Sequence, residues 1–367
     1  MTLKLAQSNV VLERYNGNLD WLKRGTGYLT VSGSRSYGTD RPDSDTDVKG
    51  VAFPPRKYYT GIIDNFEQAE WSYDDTEVVV FSFHKFVKLA ADCNPNIIEL
   101  LYPDLDDVIK ADARIVGLLE IRDDFLSTKA KHTFSGYAMS QLKRIKTHRK
   151  WLLDPPGTKP EREDFGLKPV PVIPKEQLGA AMAAVQKQLD AWELNLDGLS
   201  DAQVKGLTQS LAEQQLASDE RFMAASRFIG LNDNFVEVAL QERRYKQALK
   251  NFNQYQTWLS NRNEKRAALE AKYGYDCKHA MHLVRLMRMG MEILKGEGVI
   301  VKRPDAEELK AIRDGAWSYD TLIAWAHQMD AAMKAQYQCS PLPKKPNIKK
   351  INDKVMELTS RSWASYR

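Results

Sequence analysis

The stretch that decides the fold is VSGSRSYGTDRPDSDTDVKG, residues 31–50. With the GYLT before it, it reads as the end of a strand, a Gly33-Ser34 turn, a loop holding Gly38, and an acidic pair, Asp45 and Asp47, opening a second strand. A glycine-serine turn exposes backbone N–H groups beside a hydroxyl, donors that can cradle the oxygens of a triphosphate. Residues i and i+2 of a strand share a face, so the Asp45 and Asp47 carboxylates are expected to converge. Two adjacent anions need a cation, and Mg²⁺ takes a few carboxylate oxygens together with substrate phosphates. Arg35 and Ser36, beside the turn, are expected to assist at the phosphates.

A two-ion site is usually completed by a third carboxylate that activates the acceptor. Glu77, heading the strand-like TEVVVFSF, is the preferred candidate, with Glu70, Asp74 and Asp75 as rivals. A shift of one residue in strand register would turn Glu77 to the opposite face.

Working outward, GYLTVSGS, DTDVKGVAF and TEVVVFSF supply strands and HKFVKLAADC a helix stopped by Asn94-Pro95, which predicts an α/β opening. In NPNIIELLY, Asn96 is expected to cap a short helix whose Ile97, Ile98, Leu100 and Leu101 fill core, while Glu99 has the reach to enter the cleft. A longer helix over 134–153 carries Lys143, Arg144, Lys146, His148, Arg149 and Lys150, with Trp151 alongside. Such a run can track a nucleic-acid backbone or be a favourably charged helix end. Six prolines between 154 and 174 exclude regular helix. Beyond them AAMAAVQKQLDAWEL, SDAQVKGLTQSLAEQQ and the run 233–272 are helix formers. The expected class is α+β: a catalytic domain over 1–125 with a short mixed sheet, then a mainly helical domain over 126–367 with a proline-rich linker near 154–174.

In YGYDCKHAMHLVRLMRMG, Gly274 is expected to end one helix and Asp276 to cap the next. Lys278, His282 and Arg285 fall on one side of that helix, with Arg288 at its margin, and Leu283, Leu286, Met287 and Leu294 on the other. The cationic side is either a solvated surface or a face that binds triphosphate. His279 and His282, three apart and without a neighbouring carboxylate or thiolate partner, are not assigned zinc.

The formal charge of +4 permits a nucleic-acid partner without requiring one. Cys93, Cys277 and Cys339 are too few and too scattered for a disulfide framework, which fits a reducing cytoplasm. The N-terminal MTLKLAQSNVVLERYNG lacks the apolar core of a signal peptide, and the chain is expected to be unexported.

The GS turn followed by DxD resembles the signature of the polymerase β-like nucleotidyltransferase superfamily. GSRSYG and SDTDVKG are similar more narrowly to a bacterial and phage group associated with RNA repair, and the likeness extends to Tyr58-Tyr59-Thr60-Gly61, NPNIIELLY, RNEKRAALEAKYGYDCKHAMHLVRL and AIRDGAWSYDTL. The resemblance implies an NTP donor, Mg²⁺ (or Mn²⁺) on Asp45, Asp47 and Glu77, triphosphate contacts from Gly33, Ser34, Arg35 and Ser36, and a functional role for Lys278, His282 and Arg285. Glu77 stands where Asp is commoner in the superfamily. The implied reaction moves a nucleoside monophosphate to a hydroxyl acceptor, an RNA end, releasing pyrophosphate. A protein side chain is the alternative acceptor, and a silent nucleotide- or RNA-binding module the alternative class.

Overall fold

The computed structural model describes residues 9–62, 64–194, 214–262, 264–364 and 366. It is α+β, with a five-stranded mixed sheet near the N-terminus and a mostly helical remainder. The strands are β1 (Thr26–Ser32), β2 (Thr46–Ala52), β3 (Gln68–Tyr73), β4 (Thr76–Ser82) and β5 (Val108–Ala111), in the spatial order β3-β4-β2-β1-β5. Only β2 and β4 run parallel; the other pairs are antiparallel. The sequence reading found β1, β2 and β4 but not β3 or β5. QAEWSY alternates polar and apolar residues, a period-two signal that went unread, whereas VIKA is short and lacks alternation, so its neighbouring strand rather than local propensity specifies it.

Strand alternation gives the sheet two different faces. Leu29, Val48, Ala52, Ala69, Trp71, Val78 and Val80 bury one face against Val11, Leu12, Leu22 and Phe66. The other face is graded. Along β2 it presents Asp47, then Lys49, then fully buried Val51, so one strand passes from charge to core within a few residues.

The helices used below are α1 (Gly33–Tyr37), α2 (Phe83–Ala91), α3 (Pro95–Ile98), α4 (Ala113–Leu119), α5 (Lys129–Leu153), α6 (Lys175–Leu194), α7 (Gln214–Phe228), α8 (Asp233–Ser260), α9 (Glu264–Tyr273), α10 (Cys277–Lys295), α11 (Ala306–Arg313), α12 (Tyr319–Cys339) and α13 (Ile348–Ala364). Asn94, not Asn96, caps α3: its side chain accepts from Asn96 N–H while Pro95 takes the first helical position, where a missing donor costs nothing. Ile97, Ile98, Leu100 and Leu101 do fill core.

The chain divides into two compact units, residues 1–152 with 264–367, and residues 153–263. The unit holding the sheet therefore runs past residue 125 and takes in the C-terminal helices. The physical reason is one continuous core, in which Ile98 and Leu101 from the sheet region join Phe134 and Ala138 of α5, Leu283 and Met287 of α10, Met333 of α12 and Leu358 of α13. Helix α10 is buried almost all round, as a central core helix must be. At Gly290 a Cβ would lie 2.7 Å from Met333 Cε and 2.8 Å from Phe134 Cβ, so glycine permits the close approach of α5 and α12.

The second unit has its own core of Leu178, Val185, Phe222, Ala225, Ala239 and Leu240, drawn from α6, α7 and α8. Its proline-rich segment is irregular except for a short 3-10 turn at Glu163–Phe165, and Arg162 there donates to buried Glu242 at 2.5 and 3.2 Å. Of the expected helix SDAQVKGLTQSLAEQQ, residues 200–213 lie outside the described residues.

Candidate active site

Antiparallel pairing of β1 with β2 sets Ser32 opposite Asp47, and parallel pairing of β2 with β4 sets Asp47 opposite Glu77. Register-matched residues of adjacent strands point the same way from Cα atoms about 5 Å apart, so the Asp47 and Glu77 side chains leave the sheet side by side. Asp45, two residues earlier, lies just outside the strand beside them. Burial, reinforced by the charge of Asp45 and then of Glu77, pushes the Asp47 carboxyl above its usual range, with Lys49 and Lys278 pulling the other way. The neighbouring charges of Asp45 and Glu77 that help raise Asp47 are what a hard divalent cation would relieve, which is the chemistry expected of a Mg²⁺ site.

The glycine-serine bend is built against this cluster. Gly33 has φ +70°, and a Cβ there would overlap Asp47 Oδ2. Only glycine allows both the backbone angle and the contact. Helix α1 is closed by Gly38 at φ +73°, whose N–H turns back to the Arg35 and Ser34 carbonyls, and Thr39 N–H donates to Ser34 O at 2.9 Å.

Of the other residues singled out from the sequence, Arg35 donates to the Ser44 and Asp45 carbonyls at 2.6 and 3.2 Å, so it shapes the loop that presents Asp45. Ser36 is buried and spends its hydroxyl on Gly33 O at 3.0 Å. Glu70 sits on β3 opposite Val79 and receives a hydrogen bond from Gln68. Asp74, at φ 44°, and Asp75 form the two-residue turn between β3 and β4.

Helix α10 has the end structures expected of it. Gly274 is left-handed at φ +75°, and Asp276 caps the helix by accepting from His279 N–H at 3.0 Å. Its charged side chains do not form one exposed face. Lys278 keeps part of its side chain in solvent and is close enough to be felt by both Asp45 and Asp47, while partial burial and then the charges of Arg266 and Arg313 hold its ammonium below the usual range. His282 is half-buried and, through burial and then the charges of Arg285 and Lys278, is kept neutral. Arg285 points into the core, not the cleft: it is 4% exposed, donates to Glu99 Oε1 at 2.7 Å, and lies 3.7 Å over the Tyr37 ring. Tyr37 Oη donates to Glu99 Oε2 at 2.5 Å, so Glu99, too, is a core residue. A carboxylate 186 positions away in sequence is what lets a basic residue enter the core. Arg288 is held by Asp305 and Glu308. On α5, Trp151 is buried, so it offers no stacking surface, while Lys143, Arg144, Lys146 and Lys150 are exposed.

One site residue escaped the sequence reading. Lys49 shares the face of Asp47, and burial, despite the charge of Glu99 and Asp47, lowers its ammonium from the usual range. Period two along Asp45, Asp47 and Lys49 would have found it.

Residues 13–153 match the family described as the RNA repair pathway DNA polymerase beta family. This segment is similar to the polymerase β-like group tied to RNA repair. The polymerase β-like match contains the whole sheet, the Gly33-Ser34 bend and all three carboxylates. A segment of 122 residues is 29% identical to an uncharacterized 38.9 kDa protein in the nrdC-mobD intergenic region of Enterobacteria phage T4, covering 30% of this chain and 36% of that one. The chain thus spans about a third of the length of the curated relative it matches. Among the described residues no helix is long and apolar enough to cross a membrane.

Proposed function

We propose that this protein transfers a nucleoside monophosphate from an NTP to a hydroxyl of an RNA end, with release of pyrophosphate. The observation that carries the reading is the in-register pairing of Asp47 with Glu77, with Asp45 beside them and Gly33 packed on the Asp47 carboxylate. Asp45, Asp47 and Glu77 would hold Mg²⁺, which, when bound, neutralises phosphate charge and stabilises the attacking and leaving oxygens. Backbone N–H groups at Gly33 and Ser34 bind the triphosphate tail. Glu77 also accepts the proton of the acceptor hydroxyl. Lys278 supports the charge that grows on the departing pyrophosphate, and Lys49 balances the carboxylates from beneath. Arg285 and Glu99 hold Tyr37, and with it the helix that carries the bend. The exposed cations of α5 supply a backbone-binding surface for the acceptor.

The test is incubation of the purified protein with labelled NTPs, Mg²⁺ and either total RNA or total protein, with the Asp45→Ala/Asp47→Ala variant alongside. Label entering RNA only with intact aspartates is the expected result. Label entering protein alone reassigns the acceptor. Absence of metal-dependent label on both overturns the enzymatic reading.

A further inference from the structure

A second group of metal-ligating side chains lies outside the acidic cleft. His148 of α5, with Asp276 and His279 at the start of α10, each bring one ligand atom within 4.8 Å of the others. Asp276 is central, its Oδ2 lying 3.7 Å from His148 Nδ1 and 3.6 Å from His279 Nε2. A tetrahedral ion with bonds of about 2.0–2.1 Å sets its ligand atoms about 3.4 Å apart, so both Asp276–histidine separations already lie within a few tenths of an ångström of that spacing. The Asp276 side chain is 1% exposed and its Oδ1 is used in capping the helix, whereas Oδ2 is buried and receives no aligned hydrogen bond. His279 Nδ1 is likewise buried without one. A cation already stands in the gap: Arg266 Nη2 is 2.9 Å from Asp276 Oδ2 and 3.3 Å from His279 Nε2. The Arg266 side chain is 35% exposed and has solvent to move into, unlike the three residues around it.

We propose that His148, Asp276 and His279 bind a borderline divalent transition-metal ion such as Zn²⁺, with Arg266 as the resident cation that the ion displaces. Two imidazoles and a carboxylate suit Zn²⁺, Co²⁺ or Ni²⁺, whereas the all-carboxylate cleft suits Mg²⁺, so the two sites differ in ion class. Three protein ligands leave a fourth position for water. The ion joins α5 to the first turn of α10, the helix that presents Lys278 to Asp45. The histidine partner missing from the local sequence around His279 is supplied by a distant helix, and the carboxylate by the capping residue itself.

The experiment uses the full chain without a histidine tag, stripped with a chelator and titrated with Co²⁺ and then Zn²⁺. One equivalent of Co²⁺ is expected to give the visible absorption of a four-coordinate site, bleached by Zn²⁺, and Zn²⁺ is expected to raise the melting temperature. His148→Ala should lose both effects and Asp45→Ala/Asp47→Ala should retain them. Arg266→Ala should bind about tenfold more tightly, because a competing cation beside the ion is removed. Equal binding by wild type and His148→Ala overturns the proposal, as does loss of binding in Asp45→Ala/Asp47→Ala, which would place the ion in the cleft. If His148→Ala does not fold, unchanged affinity in Arg266→Ala overturns it as well.

Discussion

Gly33 couples the bend directly to the carboxylates. Its left-handed backbone and the Asp47 oxygen packed on it leave no space for a methyl group. Gly33→Ala must either strain the backbone by about 1–3 kcal/mol or move Asp47, so nucleotidyl transfer is expected to fall about 10- to 100-fold while far-UV circular dichroism is unchanged. Wild-type turnover in that variant would show that the packing is dispensable. Much of this residue-scale picture was legible in the sequence, since Gly33, Ser34, Asp45 and Asp47 occupy consecutive punctuation marks of one motif. The register that pairs Glu77 with Asp47 was not, because it depends on a parallel contact between separated strands. Arg285 was misread for a related reason: helical period fixes a side chain's angle but not the distant partner that allows its burial.

At the scale of elements, the cluster of Tyr37, Glu99 and Arg285 ties α1, the turn after α3, and α10 into one unit. Removing one charge of a buried pair leaves the other unpaired, so Arg285→Ala is expected to cost about 3–5 kcal/mol in urea unfolding, and Tyr37→Phe only about 1 kcal/mol. Joint replacement, Glu99→Gln with Arg285→Met, should recover most of the loss. Equal costs for the Tyr37 and Arg285 variants would contradict this ranking. A second tether holds the entry to α11, where Arg303 binds Glu292 and Asp305, its backbone N–H donates to Tyr37 O, and Arg288 also reaches Asp305. Burial pushes the Asp305 carboxyl up, but hydrogen bonds from Arg303 and Arg288 outweigh it and hold the group below 3.8. Its folded form therefore binds fewer protons than the unfolded chain, so the stabilisation is complete above pH 3.8 and is lost as pH falls through the lowered folded value. Asp305→Asn should flatten that part of the stability-against-pH curve, measured by chemical denaturation at successive pH values.

At the scale of the whole molecule, the polymerase β-like match ends at residue 153, but the core beneath it does not. Ile98, Leu101 and Phe134 share a hydrophobic cluster with Leu283, Met287, Met333 and Leu358. A fragment comprising residues 1–153 would expose this apolar surface, and it is expected to lack the cooperative thermal transition of the full chain. A sharp transition in the isolated fragment would show that the C-terminal helices are accessory. Composition and proline content marked the middle of the chain as different, but its ends could not show that the flanking segments fold together, since that is recorded only in long-range packing.

The second unit is thus an insertion, entered after residue 152 and left before residue 264. A protease nick within it would break the polypeptide without separating the two flanks, which stay joined through their common interior. The same arrangement predicts that two chains divided at that point reassemble one fold, an outcome checked by co-purification of the halves.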